Sequence, residues 1–246
     1  MGRKNLLALG VLAAVALVAC GDDDDATGAS PGDEGGVATI STAPELEPVV
    51  TELIQAYGEA SGAGLELTVV PPDEVIQAVS EGTPAILPGA WLGDGATDSI
   101  VIGRNLAIIV VPAANPAEVT GLDAFAPESG LDTAICGADS SYGNLATLVL
   151  ERAGVTPDPM RVGVGCDADA VARVAGGELD AALVFRGSVE MPDGVEVVNV
   201  PEEQNIVIDV RYAPVGDAED TNSNSFAQFL QSDQAEQILT LEGFLP

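Results

Sequence analysis

Val37-Ala38-Thr39-Ile40-Ser41-Thr42-Ala43-Pro44-Glu45-Leu46 sets the architecture of the chain. A short apolar run over residues 37–40 reads as a strand. It breaks at a Ser-Thr-Ala-Pro turn, after which Leu46, Val50, Leu53, Ile54 and Tyr57 recur on one helical face. Thr42 and Glu45 have capping-box spacing. Pro48 would lose a backbone bond and clash inside a helix, so it reads as the first residue of a helix that begins near Glu47. Residues 61–64 end that helix, and residues 65–70 form the next strand.

The same alternation continues downstream. Asp73 is expected to cap a short helix over residues 74–81, stopped at Gly82. Strands are expected over 105–111, 131–136, 161–165 and 181–185. Helices are expected over 143–153, 168–175, 225–230 and 233–241, with Gly243 at the last stop. Strands alternating with helices predict an α/β fold with parallel sheets. No internal repeat interrupts the pattern.

Upstream, Arg3 and Lys4 precede an uncharged, mostly apolar run over residues 5–19. Such a run is short for a bilayer span, and a basic start before it reads as a secretory signal peptide over residues 1–19. It ends in Leu17-Val18-Ala19-Cys20-Gly21, which resembles the lipobox of bacterial lipoproteins and makes Cys20 the expected acylated residue. Residues 20–36, with Asp22-Asp23-Asp24-Asp25, carry too little apolar surface to pack and read as an acidic tether. The expected location is extracytoplasmic, lipid-anchored on the outer face of the membrane. With Cys20 used by lipid, Cys136 and Cys166 are an even pair in an exported chain. At the carboxyl ends of neighbouring parallel strands they are expected to form a disulfide.

Composition removes several function classes. The 246 residues carry 8 Lys+Arg against 39 Asp+Glu, a formal net charge of −31. That balance argues against nucleic acid, whose binding needs a basic face. The chain has no His, which excludes Ser-His-Asp and Cys-His catalysis and any His-ligated metal site. No catalytic residue, cofactor or resident metal is expected, and the protein is read as a binder rather than an enzyme.

Open α/β sheets bind ligands at the carboxyl ends of their strands. Three turns there carry small hydroxyl residues, Ser41-Thr42, Ser140-Ser141 and Thr83, and free N–H groups at helix starts suit an anion without any lysine. Arg186, directly after the strand over 181–185, is placed where a guanidinium could grip an oxyanion.

The order of elements and several short motifs resemble ABC-importer solute-binding proteins of the molybdate-binding type, from about residue 37 to residue 246. The motifs are the Ser turn after the first strand, Gly82-Thr83-Pro84-Ala85, Tyr142-Gly143-Asn144-Leu145-Ala146 at a helix start, and Gly177-Glu178-Leu179-Asp180-Ala181-Ala182-Leu183-Val184-Phe185. Phe229-Leu230-Gln231-Ser232-Asp233-Gln234-Ala235 with Gly243-Phe244 closes the set.

The resemblance implies a two-lobed, type II periplasmic-binding-protein-like fold. Each lobe is a mostly parallel sheet flanked by helices, and the ligand cleft lies between them. It places lobe 1 at residues 37–108 plus 206–246 and lobe 2 at 109–205, joined by two crossing strands. It further implies a monomer that closes over a small tetrahedral oxyanion, molybdate or tungstate first, and delivers it to an ABC permease. By position, the ligand set is Ser41 with Thr42, the Ser141-Tyr142-Gly143 turn and Phe185, to which the strand-end reading adds Ser140 and Arg186. The alternative is the same fold with a degenerate site for another small or organic solute, or a signalling or scaffold role.

The chain departs from the family pattern at three places. Pro71-Pro72-Asp73 stands where the family has a second Ser turn, Phe185 where it has a binding Tyr, and Ile86 where it has Asp. Asp73 is read as a helix cap that points away from the anion.

Overall fold

The computed structural model describes residues 38–92, 98–137, 140, 142–157, 167–214 and 221–246. The signal peptide, Cys20 and the tether, the strand expected over 161–165, Ser141 and Cys166 lie outside these residues.

β1 (Ala38–Thr42) opens the described chain. A 3-10 turn at Pro44–Leu46 leads into α1 (Glu47–Ser61), with Pro48 in its first turn as expected. Val49, Val50, Leu53, Ala56 and Tyr57 form its buried face, and Gly62 ends it in the left-handed conformation that favours glycine. The capping box does not form. Thr42 is still strand, and its hydroxyl donates to the Ile86 carbonyl at 2.8 Å instead of capping a helix.

β2 (Leu65–Val69) is followed by α2 (Pro72–Ser80). The residue preceding α2 is Pro71, and Asp73 lies exposed in the first turn, so Asp73 is not the cap. Pro72 starts the helix because its fixed φ suits the first position and its missing N–H would be unpaired there anyway. The carboxylates of Asp73 and Glu74 face the positive end of the helix dipole.

β3 (Ala85–Pro88), the 13-residue β4 (Ile100–Pro112) and β5 (Thr133–Ile135) come next. They are followed by α3 (Gly143–Arg152), α4 (Asp167–Ala175), β6 (Ala181–Phe185) and β7 (Val195–Asn199). β8 (Val207–Ala213), α5 (Thr221–Phe229) and α6 (Asp233–Leu241) complete the chain. The strand order is β2-β1-β3-β8-β4-β6-β5, with β7 also on β4. Pairing is parallel for β1–β2, β1–β3 and β5–β6, and antiparallel wherever β4 or β8 takes part. The sheet is therefore mixed, where the alternation of strands and helices implied mostly parallel pairing. The two long return strands account for the difference.

β4 is shared between two groups of strands. Its first half, up to Leu106, pairs with β8, and Ala107 onward pairs with β6 and β7. Past that point its residues alternate between two apolar clusters. Ala107, Ile109 and Val111 face the α3 residues Leu145, Val149 and Leu150, whereas Ile108 and Val110 face Ala170, Val171 and Val174 of α4. Burial on both faces explains why this stretch is continuously apolar. In the other group, Ile86, Val210 and Tyr212 pack on the α1 and α5–α6 side, while Ala85, Leu87 and Ala213 face Val75 of α2.

Glu242, just past α6, is half-buried. Its carboxyl is held above the ordinary glutamate range, first by burial and then by the negative charges of Glu52 and Glu190. At neutral pH the charged form is thus less favourable folded than unfolded. The folded state takes up its proton first as pH falls, so this penalty is present above the raised value and is relieved between there and the ordinary range. Glu242→Gln is expected to raise Tm at pH 7 and to lose that advantage in acid, which melting curves of both proteins across pH would show.

Candidate functional site

Three turns converge at the strand ends. The first follows β1. Ser41 is 4 % exposed, and its hydroxyl has no hydrogen-bond partner among the described residues. Its backbone N–H donates to the Pro84 carbonyl, which anchors the strand end. Thr42 is fully buried, with its single hydroxyl proton committed to Ile86. It has none left for an anion, so of this pair only Ser41 can act as a hydroxyl donor.

The second turn precedes α3. Ser140 is buried, and its Oγ accepts the Gly143 N–H at 2.8 Å. Ser140 therefore secures the helix start, and its own O–H remains a donor. Ser141, between these two, lies outside the described residues. Tyr142 is fully buried and stacks on Phe185, with ring centroids 4.6 Å apart and planes 19° from parallel. Phe185 offers no hydrogen bond; it forms the surface on which the Tyr142 phenol rests.

The third turn follows β6. Arg186–Ser188 forms a 3-10 turn that packs against the Pro44–Leu46 turn after β1. Arg186 is exposed, and among the described residues no carboxylate lies within ion-pair distance of it. Its stem lies on the C-terminal turn, where a Cβ added at Gly243 would come within 3.2 Å of Arg186 Cγ. Gly187 sits under the Phe244 ring.

Sequence reasoning missed the residue that joins two of these turns. Asn105 of β4, 1 % exposed, donates from Nδ2 to the Tyr142 hydroxyl and to Ser188 Oγ, both at 3.2 Å. Its Oδ1 accepts the N–H groups of Gly187 and Leu106, both at 2.9 Å. The available signal was an amide side chain at the head of an apolar run. A separate cavity of about 450 Å³ opens between the residues after β3 (Gly89, Ala90, Leu92), Leu145 of α3 and the start of β8. Cys136 is buried just past β5. No group of His, Cys, Asp and Glu suited to a metal occurs among the described residues.

A strand-end hydroxyl, a capped helix start and a guanidinium with no carboxylate beside it among the described residues can bind, but these groups contain no base positioned beside a nucleophile. The sequence model of a family described as bacterial extracellular solute-binding protein matches residues 38–245. The chain belongs to this family. Membership places this solute-binding protein outside the cytoplasm and in a family of binders rather than enzymes.

Solved structures share its fold. The sulfate-binding protein of Mycobacterium tuberculosis is 18 % identical at a TM-score of 0.65, covering 85 % of this chain and 86 % of that one. The periplasmic molybdate-binding protein of Azotobacter vinelandii is 16 % identical at 0.63, covering 85 % and 99 %. An ABC-type phosphate transport receptor from Vibrio cholerae is 15 % identical at 0.61, covering 85 % and 99 %. At these identities the likeness establishes the fold, the two-lobed type II periplasmic binding protein. No curated protein matches the sequence.

Proposed function

We propose that this solute-binding protein captures a small tetrahedral oxyanion, of the molybdate or tungstate kind, for an ABC permease. Ser41 carries the reading. It is 4 % exposed at the end of β1, and its hydroxyl, which is not sealed from solvent, has no hydrogen-bond partner among the described residues, whereas the Thr42 hydroxyl beside it is engaged. The Ser140 hydroxyl beside the α3 start, Ser141 next to it in the sequence and the Arg186 guanidinium complete a set of donors for an anion. Structural relatives whose names state molybdate, sulfate and phosphate support this ligand class.

In this reading the lobes divide where β4 passes from β8 to β6 and β7, and the ligand is held by closure about that crossing. Lobe 1 takes residues 37–108 and 206–246, lobe 2 residues 109–205. Cys20 anchors the chain by lipid, residues 20–36 act as the tether, Cys136 pairs with Cys166, and the protein works as a monomer.

Calorimetric titration with molybdate, tungstate, sulfate and phosphate in moderate salt tests the reading. Sub-micromolar binding of one of them is expected, with Ser41→Ala weakening it by about tenfold or more, since a hydrogen bond to a charged group contributes about 1.5–3 kcal/mol. Thr42→Val should leave that affinity within about twofold, because Thr42 has no proton to give. Absence of heat with all four anions would overturn the assignment of the ligand.

A further inference from the structure

The β4 edge that pairs with β8 and β7 has a one-residue gap. β8 serves the edge up to Leu106 and β7 serves it from Ile108, while the chain between them leaves the sheet over residues 200–206. Asn205 fills the gap with its side chain. Its Oδ1 accepts the Ala107 N–H at 3.1 Å and its Nδ2 donates to the Ala107 carbonyl at 2.8 Å, an amide standing in for the missing peptide. The crossing is thus held in register without a continuous partner strand.

Two residues earlier on β4, Asn105 faces a different set of partners. Its backbone pairs with Ile208 in the β8 ladder. Its side chain reaches the other group of strands, contacting Tyr142 at the start of α3 and Gly187 and Ser188 after β6. Both amide protons are donated, and Oδ1 accepts two N–H groups, so the hydrogen-bonding capacity of this buried amide is filled. A filled network in a dry setting holds its members in one geometry. Because the Tyr142 oxygen accepts from Asn105, the phenol proton is turned away from β4.

We infer that Asn105 is a positioning residue of the ligand site. It ties the two turns of the second strand group, the α3 start and the Arg186–Ser188 turn, to β4 at the crossing. Bending of β4 there is thereby transmitted to both turns together. The inference rests on the oxyanion reading of the site, but its mechanical part can be measured without a ligand.

The test follows backbone hydrogen exchange and anion affinity in the full chain. Asn105→Ala should speed exchange of the Gly187 and Leu106 amides by about tenfold or more, because both lose their acceptor. Asn105→Asp keeps an oxygen for those amides and loses the two donated protons. It should leave both amides protected while weakening binding of whichever anion among molybdate, tungstate, sulfate and phosphate the wild type takes, by about tenfold. Tyr142→Phe combined with Asn105→Asp should weaken binding no further than Asn105→Asp alone, since the bond from Asn105 through which the Tyr142 hydroxyl is held is already lost in Asn105→Asp.

Additive losses in the double variant, or unchanged protection of Gly187 and Leu106 in Asn105→Ala, would overturn the inference. Should the wild type bind none of the four anions, the oxyanion reading falls and exchange alone decides. Loss of protection then upholds Asn105 as the tie between the turns, and retained protection rejects it.

Discussion

Truncating Phe226 to alanine is expected to destabilise the protein by about 3–5 kcal/mol, the range for removing a buried aromatic ring. Phe226 projects from α5 and is fully buried. Its ring meets Tyr57 of α1 edge-on at 5.2 Å and Tyr212 of β8 edge-on at 5.6 Å, and Phe229 stacks at 6.1 Å. Two other elements, α1 and β8, therefore lean on one side chain of α5. The cavity left behind cannot collapse easily, because its walls are fixed by α1, by a central strand and by the Tyr212 hydroxyl, 2.7 Å from Ser223 Oγ. Urea denaturation should show a lower midpoint with an unchanged slope. Leu241→Ala serves as the control. Leu241 is 85 % exposed, so its truncation should change stability by no more than about 0.5 kcal/mol.

How much of this was legible in the sequence depended on whether the deciding contact was local. The strand Ala181–Phe185 and the helix Asp233–Leu241 carry their periodicity and end signals within their own residues, and both form at the expected bounds. β8 was missed although its signal was present. Ile208, Val210 and Tyr212 alternate inward, but Asp209 and Arg211 between them obscure a short run, and its partners are distant in sequence. β3 has only four residues and ends in proline, too little for a periodic signal.

The candidate site divides in the same way. Ser41 and Ser140 could be proposed from the sequence because strand ends and helix starts are marked locally, and Tyr142 was proposed through the family resemblance. Thr42 was misread for a physical reason. Its spacing to Glu45 fits a cap, yet the hydroxyl found a better acceptor across the sheet, 44 residues away in sequence. Asn105 could not be placed at all, because its partners lie 37, 82 and 83 residues further along the chain. An amide at the head of an apolar run marked the residue as unusual, but not which turns it would organise.

Gly187→Ala is expected to disturb stability and ligand binding together. A Cβ at this position would stand 2.5 Å from two atoms of the Phe244 ring and 2.7 Å from a third. Contacts that short force the ring or the turn to move. Phe244 is itself buried, and it is followed by Leu245, whose N–H and carbonyl both pair with Arg104 of β4 at 2.8 Å. With the C-terminal segment pinned, the Arg186–Ser188 turn has to yield, and it pulls the Gly187 N–H off Asn105. Overpacking costs about 1–3 kcal/mol, and the upper end is expected here because the turn can yield only by giving up its bond to Asn105. Loss of the bond to Asn105 should also displace Ser188 and the adjoining Arg186, so affinity for an anion that the wild type binds should fall in step with stability.

Phe244→Leu added to Gly187→Ala removes about the volume that the new methyl group introduces. The pair should recover most of the lost stability and affinity, with a coupling between the two sites of about 1–2 kcal/mol. Thermal melts and calorimetry on the two single variants and the double variant would measure that coupling. Strictly additive losses would show that the cost of the methyl group at Gly187 does not come from the Phe244 ring. That outcome would detach the C-terminal segment from the geometry of the site.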